Sequence, residues 1–277
     1  MKKLSNFVNG VSAAPVDGNY IDNYEPATGA IYSLIPNSNE KDVENAVAAA
    51  KKAFPAWSSL SIEERGNYLM RIADGIRRRM DEFVAAESRD NGKPLSLAAH
   101  VDIPRAISNF EFFATGIQHF ASESHYMEGV GVNYTIRKPI GIVGCISPWN
   151  LPLYLFSWKI APALAAGNCV IAKPSEVTPY TAYLLGEIIK ESDMPDGVLN
   201  ILHGLGGTVG DAIVKHPEIK AISFTGGTST GEYIARTAAP MFKKLSLELG
   251  GKNPNIIFAD CDFEEMLKVT LRSSFAN

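Results

Sequence analysis

The feature that most constrains the fold is an alternation of apolar runs and helical patterns between residues 140 and 249. Continuous apolar runs are typical of strands buried on both faces, and amphipathic stretches separate them. The alternation predicts an α/β fold, with a Rossmann-like parallel sheet and helices on both of its faces. The expected strands are Ile140–Ser147, Cys169–Lys173, Val198–His203, Ala221–Thr225 and Leu245–Leu249. The expected helices between and after them are Phe156–Ala166, Pro179–Ser192, Thr208–His216 and Thr230–Ala238.

The segments on either side of this alternation predict smaller elements. Residues 1–38 show short alternating runs that are typical of small strands. Ser38 is a candidate N-cap for a helix that reaches Phe54, and the capping box Ser61–Glu64 opens a long helix that runs through Met80. The Asn-Gly-Lys-Pro sequence at 91–94 ends that helical run. The remaining expected elements are a helix over Ile103–Phe120, a hairpin over Tyr126–Arg137, a strand over Asn255–Ala259 and a helix over Phe263–Ser274.

Charge and cysteine content disfavour several classes of function. The formal net charge of −4 leaves no basic excess for binding nucleic acid or an anionic membrane. Cys145, Cys169 and Cys261 are widely spaced, which disfavours a disulfide framework or a zinc site and predicts buried thiols in a reducing, cytoplasmic compartment. The apolar stretch Leu151–Ala172 contains Pro, Lys and Gly, so we expect a buried helix followed by a buried strand, and no membrane span.

Polar and glycine-rich loops follow each of the five expected parallel strands. Parallel α/β sheets bind ligands at the carboxyl ends of their strands, so we expect the functional site at these loops. Glycine loops let backbone amides approach phosphate, and a helix N-terminus adds partial positive charge. The loops lack the G-x-G-x-x-G spacing, and tight strand-to-helix turns explain their glycines equally well. The five loops are 147–150, 173–176, 204–207, 224–231 and 248–252.

Four side chains in these loops are suited to binding or catalysis. Glu176 can accept from ribose hydroxyls and repel a 2′-phosphate, and Lys173 can donate to the same sugar; the alternative is a solvated charged loop. The Asn150 amide can donate to a developing oxyanion, or it can bond its own backbone in a turn. Apolar neighbours would shield Glu248 from water, which suits a general base, but Glu248 also fits the polar face of an alternating strand.

Taken together and in order, these loop sequences resemble the aldehyde dehydrogenase superfamily. The similarity extends from about Asn6 to the last residue. Residues 149–155, 158–162 and 272–277 are most similar to the branch of 2-aminomuconic and 2-hydroxymuconic semialdehyde dehydrogenases. The motifs that carry the family resemblance are Ser147-Pro148-Trp149-Asn150, Lys173-Pro174-Ser175-Glu176, Phe224-Thr225-Gly226 and Leu247-Glu248-Leu249-Gly250-Gly251-Lys252.

The resemblance implies a role for each of these positions. Asn150 would be the oxyanion donor and Glu248 the general base of an enzyme that oxidises a muconic semialdehyde to an acid, with NAD as cofactor. Lys173 and Glu176 would hold the adenosine ribose and favour NAD over NADP. Gly227 replaces the Ser of many members, so only its backbone amide remains for phosphate. The other implied cofactor-binding residues are Ile146, Ser147, Pro148, Trp149, Gly206, Gly210, Phe224, Thr225, Gly226 and Gly250.

The resemblance also implies a domain organisation and an incomplete active site. In this family a Gln-Gly motif and the nucleophilic Cys follow the segment that matches residues 275–277. We therefore expect a truncated enzyme that is inactive as given and binds NAD weakly. The implied division is a helical and strand part of the cofactor domain (1–125), an oligomerisation hairpin of a homo-oligomer (126–138), the NAD-binding core (139–249) and the start of a catalytic domain (250–277).

The sequence leaves two questions open: which residue binds the substrate, and whether the chain belongs to a dehydrogenase. Arg105 is the candidate group for a substrate carboxylate, because a guanidinium binds a carboxylate through two hydrogen bonds; a helix-surface arginine is equally compatible. The competing functions are a non-catalytic nucleotide-binding or interaction module and a reductase that acts on an acyl phosphate. Glu248 argues against the reductase, since a hydrolytic base serves to release an acid.

Overall fold

Twelve strands and ten α-helices are found in the computed structural model, which describes residues 1–251 and 254–275. The strands are β1 (Lys2–Lys3), β2 (Asn6–Val8), β3 (Val11–Ala13), β4 (Tyr20–Glu25), β5 (Ala30–Pro36), β6 (Ser124–Met127), β7 (Gly131–Tyr134), β8 (Ile142–Ile146), β9 (Cys169–Lys173), β10 (Leu199–Ile201), β11 (Ile219–Gly226) and β12 (Lys244–Leu249). The helices are α1 (Glu40–Ser59), α2 (Ile62–Arg78), α3 (Met80–Asn91), α4 (Leu95–Leu97), α5 (Ile103–Gly116), α6 (Pro152–Ala165), α7 (Tyr180–Glu191), α8 (Asp211–Lys215), α9 (Thr228–Ala238) and α10 (Phe263–Phe275).

The main sheet has seven strands in the order β12-β11-β8-β9-β10-β2-β3. The first five strands of this order are parallel to one another, as the alternation predicted. β2 and β3 extend the sheet in the antiparallel sense beyond β10. All five residues of β8 and of β9 are buried, because these continuous apolar strands lie at the centre with neighbours on both sides.

Helices cover both faces of the parallel strands. A Cβ at Gly144 would lie 2.6 Å from the Cγ2 atom of Ile213, so this face of β8 packs against α8. Adjacent residues of a strand point to opposite faces, and Cys145 accordingly faces Lys159 of α6. α2 and α5 pack against α6 and form an outer helical layer. The predicted architecture, with helices on both faces of a parallel sheet, is confirmed.

The N-terminal helices differ from prediction at three of their ends, one of which is the end of α1, found at Ser59 and predicted at Phe54. Asn39, not Ser38, caps α1, and Asp42 completes its capping box; the Ser38 hydroxyl instead accepts from the Asn6 amide at 2.8 Å. The Ser61–Glu64 capping box of α2 is confirmed. The predicted continuous helix through Met80 is wrong, because Arg79 leaves helical geometry (φ −109°, ψ 25°) and separates α2 from α3. α3 then ends at a left-handed glycine, Gly92 (φ 83°).

Two further segments lie outside the main sheet. β6 and β7 pair as an antiparallel hairpin whose residues are almost all exposed, which confirms the hairpin predicted to leave the main body. β1, β5 and β4 form a separate three-stranded sheet. Among the residues described, none of the helices has both the length and the apolarity to cross a membrane, and Leu151–Ala172 forms α6 and β9 as expected.

The predicted strand over Asn255–Ala259 is wrong. These residues form no strand, although the predicted helix that follows is confirmed as α10. A strand requires a hydrogen-bonded neighbour, and none is present for this segment within residues 1–251 and 254–275. The motif residue Lys252, and Ala276 and Asn277 of the branch-specific stretch, lie outside the described residues.

Candidate functional site

A cavity of about 510 Å³ opens at the carboxyl ends of β8 and β11, between α8 and α9. Four residues of the predicted cofactor set line it: Ile146, Phe224, Gly206 and Gly210. A Cβ at Gly206 would meet no atom within 4 Å, so the glycine leaves room for a ligand to approach the backbone. The other lining residues are Gly207, Asp211, Val214, Ser229, Thr230, Tyr233 and Ile234.

Lys173 and Glu176 form an ion pair beside this cavity. The Lys173 ammonium donates to the Glu176 carboxylate at 2.8 Å and to the Pro174 carbonyl at 2.9 Å. The Gly206 backbone N–H faces the Glu176 carboxylate as a donor, and the side chain of Lys173 lies 3.7 Å from a Cβ built on Gly210. The pair therefore contacts the glycines of the cavity wall. The alternative of a solvated charged loop does not hold for Lys173, which is buried.

Burial and the ion pair act in opposite senses on these two groups. Burial lowers the pKa of Lys173, and the neighbouring Glu176 offsets part of this effect. Burial would raise the pKa of Glu176, but Lys173 and hydrogen bonds to the backbone hold it below its usual value. His203 lies buried near Lys173; burial and this charge lower its pKa to about 3, so its ring is neutral at physiological pH. The site thus offers a carboxylate and an ammonium held against each other at a strand end.

The loop after β8 contains the next three predicted cofactor residues. The Ser147 amide donates to the Lys173 carbonyl at 3.1 Å, which joins the ends of β8 and β9. The Ser147 hydroxyl is buried and has no hydrogen-bond partner within the part of the chain that the structure describes. Pro148 is half-buried and Trp149 exposed, so this loop runs from the sheet interior to the surface.

Three predicted glycines gather at the beginning of α9. Gly226 ends β11, Gly227 precedes the first helical residue, and a Cβ on Gly250 would lie 3.3 Å from the Thr228 hydroxyl. A Cβ on Gly227 would meet nothing within 4 Å, and no side chain caps the helix. The free backbone amides of this helix terminus can therefore receive an anionic group.

Glu248 lies on the edge strand β12 and is exposed. The shielding expected from its apolar neighbours is not observed, since Leu249 beside it is itself 36% exposed. The Thr225 hydroxyl donates to the Glu248 carboxylate at 3.1 Å and accepts from the Lys159 ammonium at 2.5 Å. Burial lowers the pKa of Lys159, while the nearby Cys145 and Glu248 raise it. A carboxylate, a hydroxyl and a buried amine thus form one connected chain.

Asn150 is half-buried in the loop that joins β8 to α6. Its backbone carbonyl accepts from the Lys93 ammonium at 3.2 Å and lies 3.5 Å from the Asn91 amide nitrogen. Among the described residues the Asn150 side-chain amide takes part in no recorded hydrogen bond, so the turn-stabilising alternative has no support here. Its N–H groups remain available to an outside acceptor.

Arg105 lies on α5 and faces Tyr154 of α6. Its guanidinium donates to the Tyr154 hydroxyl at 2.9 Å and lies 5.1 Å from the centre of that ring. Trp158 packs edge-on against both Tyr154 and Phe113. Arg105 is exposed and its guanidinium is oriented by Tyr154, so the helix-surface alternative still stands beside the carboxylate-binding one.

Sequence reasoning missed the helical walls of the cavity and two buried lysines. Which side chains of α8 and α9 face the cavity depends on how these helices pack, and the sequence does not state that. Lys159 was detectable as a lone lysine in an apolar helix, whereas Lys93 was interpreted only as part of a helix-ending turn. Within residues 1–251 and 254–275 no cluster of three metal-binding side chains is present.

The cysteines divide into two kinds. Cys145 and Cys169 are buried, and burial raises the pKa of each thiol to about 12. The expectation that all three would be buried is wrong for Cys261, which is exposed. Cys261 follows the unpaired segment that failed to form a strand, so no sheet covers it.

Comparisons with known proteins agree with one another. The family model described as "Aldehyde dehydrogenase family" matches residues 14–277. Human 2-aminomuconic semialdehyde dehydrogenase is 52% identical over 275 residues, which are 99% of this chain and 56% of that protein. The 2-hydroxymuconic semialdehyde dehydrogenase of Pseudomonas sp. strain CF600 is 45% identical over 283 residues, covering 100% of this chain and 58% of that protein. The chain thus spans just over half the length of these curated relatives.

Solved structures show the same partial coverage. The NAD+ complex structure of aldehyde dehydrogenase from Bacillus cereus matches with a TM-score of 0.95 and 36% identity, and covers 98% of this chain and 56% of that one. The crystal structure of "a Putative Aldehyde Dehydrogenase from Burkholderia cenocepacia" matches with a TM-score of 0.96 and 37% identity, over 100% of this chain and 56% of that one.

Proposed function

The chain belongs to the aldehyde dehydrogenase family, as its loop sequences predicted, and from this premise we propose that it supplies the NAD-binding part of an enzyme that oxidises an aldehyde to a carboxylic acid. Relatives of this chain are dehydrogenases of muconic semialdehydes, and we assign the same substrate class to the complete enzyme. The remaining length of such an enzyme lies outside these 277 residues.

The cavity between α8 and α9 carries this proposal. It has glycines where a dinucleotide backbone must approach, an apolar wall that includes Ile146 and Phe224, and the Lys173–Glu176 pair at its rim. We assign the adenosine ribose to that pair and the pyrophosphate to the glycines at the beginning of α9. When bound, NAD accepts the hydride that the aldehyde carbon loses.

Two side chains of this chain would act on the aldehyde. The Asn150 amide would donate to the carbonyl oxygen as negative charge develops on it. Glu248 would accept a proton from the water that releases the acid, and the Thr225 hydroxyl holds the carboxylate in place for this step. Arg105, fixed on Tyr154, would bind a carboxylate of the substrate through the N–H groups that do not face the ring.

The nucleophile that such a reaction needs is not one of the three cysteines present. Cys145 and Cys169 are buried thiols whose raised pKa keeps them protonated, and only a thiolate attacks a carbonyl efficiently. Cys261 is exposed, but its neighbours in the structure are residues of its own segment, 255–270. We therefore expect no NADH formation when the purified 277-residue chain is mixed with NAD and an aldehyde. Measurable NADH formation would contradict this expectation.

Cofactor preference tests the assignment of Glu176. We expect the chain to bind NAD weakly, with a Kd above about 1 μM, and NADP at least about tenfold more weakly, since the carboxylate repels a 2′-phosphate. Glu176→Gln should narrow the difference between the two cofactors, as measured by calorimetry. Glu232→Gln, an exposed change on α9 outside the cavity lining, is the matched control. Equal affinity of the parent chain for NAD and NADP would reject the ribose assignment.

The coding sequence beyond codon 277 separates this proposal from a non-catalytic nucleotide-binding or interaction module. An in-frame Gln-Gly followed shortly by Cys would support the dehydrogenase. A stop codon directly after Asn277 would support the module. For the complete enzyme we further propose a cytoplasmic location and a homo-oligomer that uses the exposed β6–β7 hairpin, which presents Tyr126, Val132 and Tyr134 to solvent.

A further inference from the structure

A buried lysine lies directly beneath the loop that carries Asn150. Lys93 follows the left-handed Gly92 at the end of α3, and its side chain is only 3% exposed. Its ammonium lies 3.0 Å from the Asp102 carboxylate and 4.0 Å from the Glu87 carboxylate, both fully buried. The same ammonium donates to the Asn150 carbonyl at 3.2 Å. One cation therefore joins two buried carboxyl groups, Asp102 and Glu87, to the backbone of the proposed oxyanion donor.

Two neighbouring side chains hold the same loop at other points. The Asn91 amide donates to the Trp149 carbonyl at 2.9 Å. Glu87 accepts from the Leu153 amide at 3.4 Å, in the first turn of α6, where helix N–H groups have no partner within the helix. We call Glu87, Asn91, Lys93 and Asp102 the loop clamp. The clamp contacts three successive parts of the β8–α6 connection: its exposed Trp149, its Asn150 and its junction with the helix.

Fold stability alone is a poor explanation for the clamp. Removing an ammonium and its carboxyl partners from water is costly, and apolar side chains of similar volume often stabilise such a site as well or better. Burial raises the pKa of Glu87 to about 8, which shows how unfavourable the charged carboxylate is at this place. What charged groups provide and apolar groups lack is a directional bond to one particular carbonyl.

We propose that Lys93, anchored by Asp102 and Glu87, is a positioning residue that fixes the direction of the Asn150 side-chain amide at the mouth of β8. The catalytic meaning of this direction rests on the proposed function, in which Asn150 donates to the aldehyde oxygen. The effect of Lys93 on the position of the Asn150 side chain does not depend on that function. An oxyanion donor acts only if it is held where charge develops, and Asn150 is only half-buried and lies next to the exposed Trp149.

The position of Asn150 can be measured on the 277-residue chain without any activity. In protein labelled with ¹⁵N-asparagine, the side-chain amide signal of Asn150 is assigned by its loss in Asn150→Asp. We expect Lys93→Met to shift this signal or broaden it beyond detection. Lys93→Arg keeps a cation that can donate to the carbonyl, so it should return the signal towards its parental position. If Lys93 contributed only to stability, Lys93→Met would lower the melting temperature, and Lys93→Arg would not return the Asn150 signal to its parental position.

Arg65→Met is the matched control. Arg65 is another buried cation that donates to a backbone carbonyl, but its acceptor is Ala165, at the far end of α6 from Asn150. Its loss should lower stability and leave the Asn150 signal unmoved. An unchanged Asn150 signal in folded Lys93→Met would overturn the proposal. If Lys93→Met does not fold, Asp102→Asn decides, because it neutralises the carboxylate nearest to Lys93: a shifted Asn150 signal supports the proposal and an unchanged signal overturns it. Failure of NAD binding or aldehyde oxidation would leave these spectra unaffected, so the two proposals fail separately.

Discussion

The centre of the main sheet and the segment that follows its edge have similarly apolar sequences but opposite surroundings. In β9 every residue is buried, and Ile171 has no exposed surface. Residues 254–258 include Ile256, Ile257 and Phe258, yet Ile256 is 74% exposed and the segment forms no strand. Hydrophobicity alone therefore does not produce a strand in this chain; a paired and covered position does.

The same contrast divides the proposed site. The cofactor cavity is enclosed by β8, β11, α8 and α9, all of which pack within the chain. Glu248 lies on β12, whose outer side has no neighbouring strand among residues 1–251 and 254–275. The residues that line the cofactor cavity thus lie in a packed region, while the proposed base lies on the outermost strand of the sheet.

The largest difference between the two regions should appear when isoleucine is truncated. Ile171→Ala should lower the free energy of unfolding by about 2–5 kcal/mol, because it leaves a cavity in a dense core. Ile256→Ala makes the same chemical change at an exposed position and should cost less than about 0.5 kcal/mol. Chemical unfolding measures both. Equal losses would mean that residues 254–258 are packed in solution.

A buried carboxyl should make stability depend on pH where an exposed one does not. The pKa of Glu87 is raised from 4.5 to about 8, mainly by burial, so between these values the folded chain holds a proton that the unfolded chain releases. The contribution of Glu87 to stability is therefore fully present below pH 4.5 and is lost as pH rises towards 8.

Glu87→Gln removes this titration. From pH 5 to pH 8 the variant should gain on the parent chain by on the order of a few kcal/mol in unfolding free energy. Glu264→Gln, on the exposed helix α10, is the control, since water solvates that side chain in the folded and unfolded chain alike. Denaturant titrations at several pH values give the comparison. Parallel curves for Glu87→Gln and its parent would contradict the buried proton.

The smallest expected difference in stability between the two regions comes from replacing one glycine at the sheet centre and one beside its edge. A Cβ at Gly144 would lie 2.6 Å from Ile213 and 2.9 Å from Ile222, both buried, so Gly144→Ala should cost about 1–3 kcal/mol by overpacking. A Cβ at Gly231 would lie even closer, 2.3 Å, to the end of the Leu249 side chain. Leu249 is partly exposed and can move, and alanine favours a helix by up to about 1 kcal/mol, so Gly231→Ala should be neutral or stabilising.

Thermal or chemical unfolding of the two glycine variants tests whether Leu249 at the sheet edge moves to accommodate an added methyl group, where Ile213 and Ile222 at the centre cannot. A loss in Gly231→Ala as large as that in Gly144→Ala would show that β12 is held rigidly.

Local patterns were sufficient for much of the fold and for part of the site. Continuous apolar runs predicted β8 and β9, and the Ser61–Glu64 spacing predicted the beginning of α2, because each depends on residues close in sequence. The family resemblance placed Ile146, Gly206, Gly210 and Phe224 at one cofactor site, and in the structure all four line the same cavity. The division at Arg79 was missed, because its immediate sequence context carries no Gly or Pro that would mark the end of a helix; Arg79 pairs with Glu82 nearby and with the distant Glu187 and Glu191.

The sequence by itself determined the parallel α/β architecture and the family, because strand periodicity and motif order are properties of the linear sequence. Only the tertiary structure decided that Tyr233 and Asp211 help to close the cavity, that Glu248 is exposed and that Lys93 bonds to the carbonyl of Asn150. The physical reason is that burial and hydrogen bonding depend on which distant elements pack together. In the same way, positions 171 and 256 carry the same residue type, isoleucine, and differ in whether other parts of the chain cover the side chain.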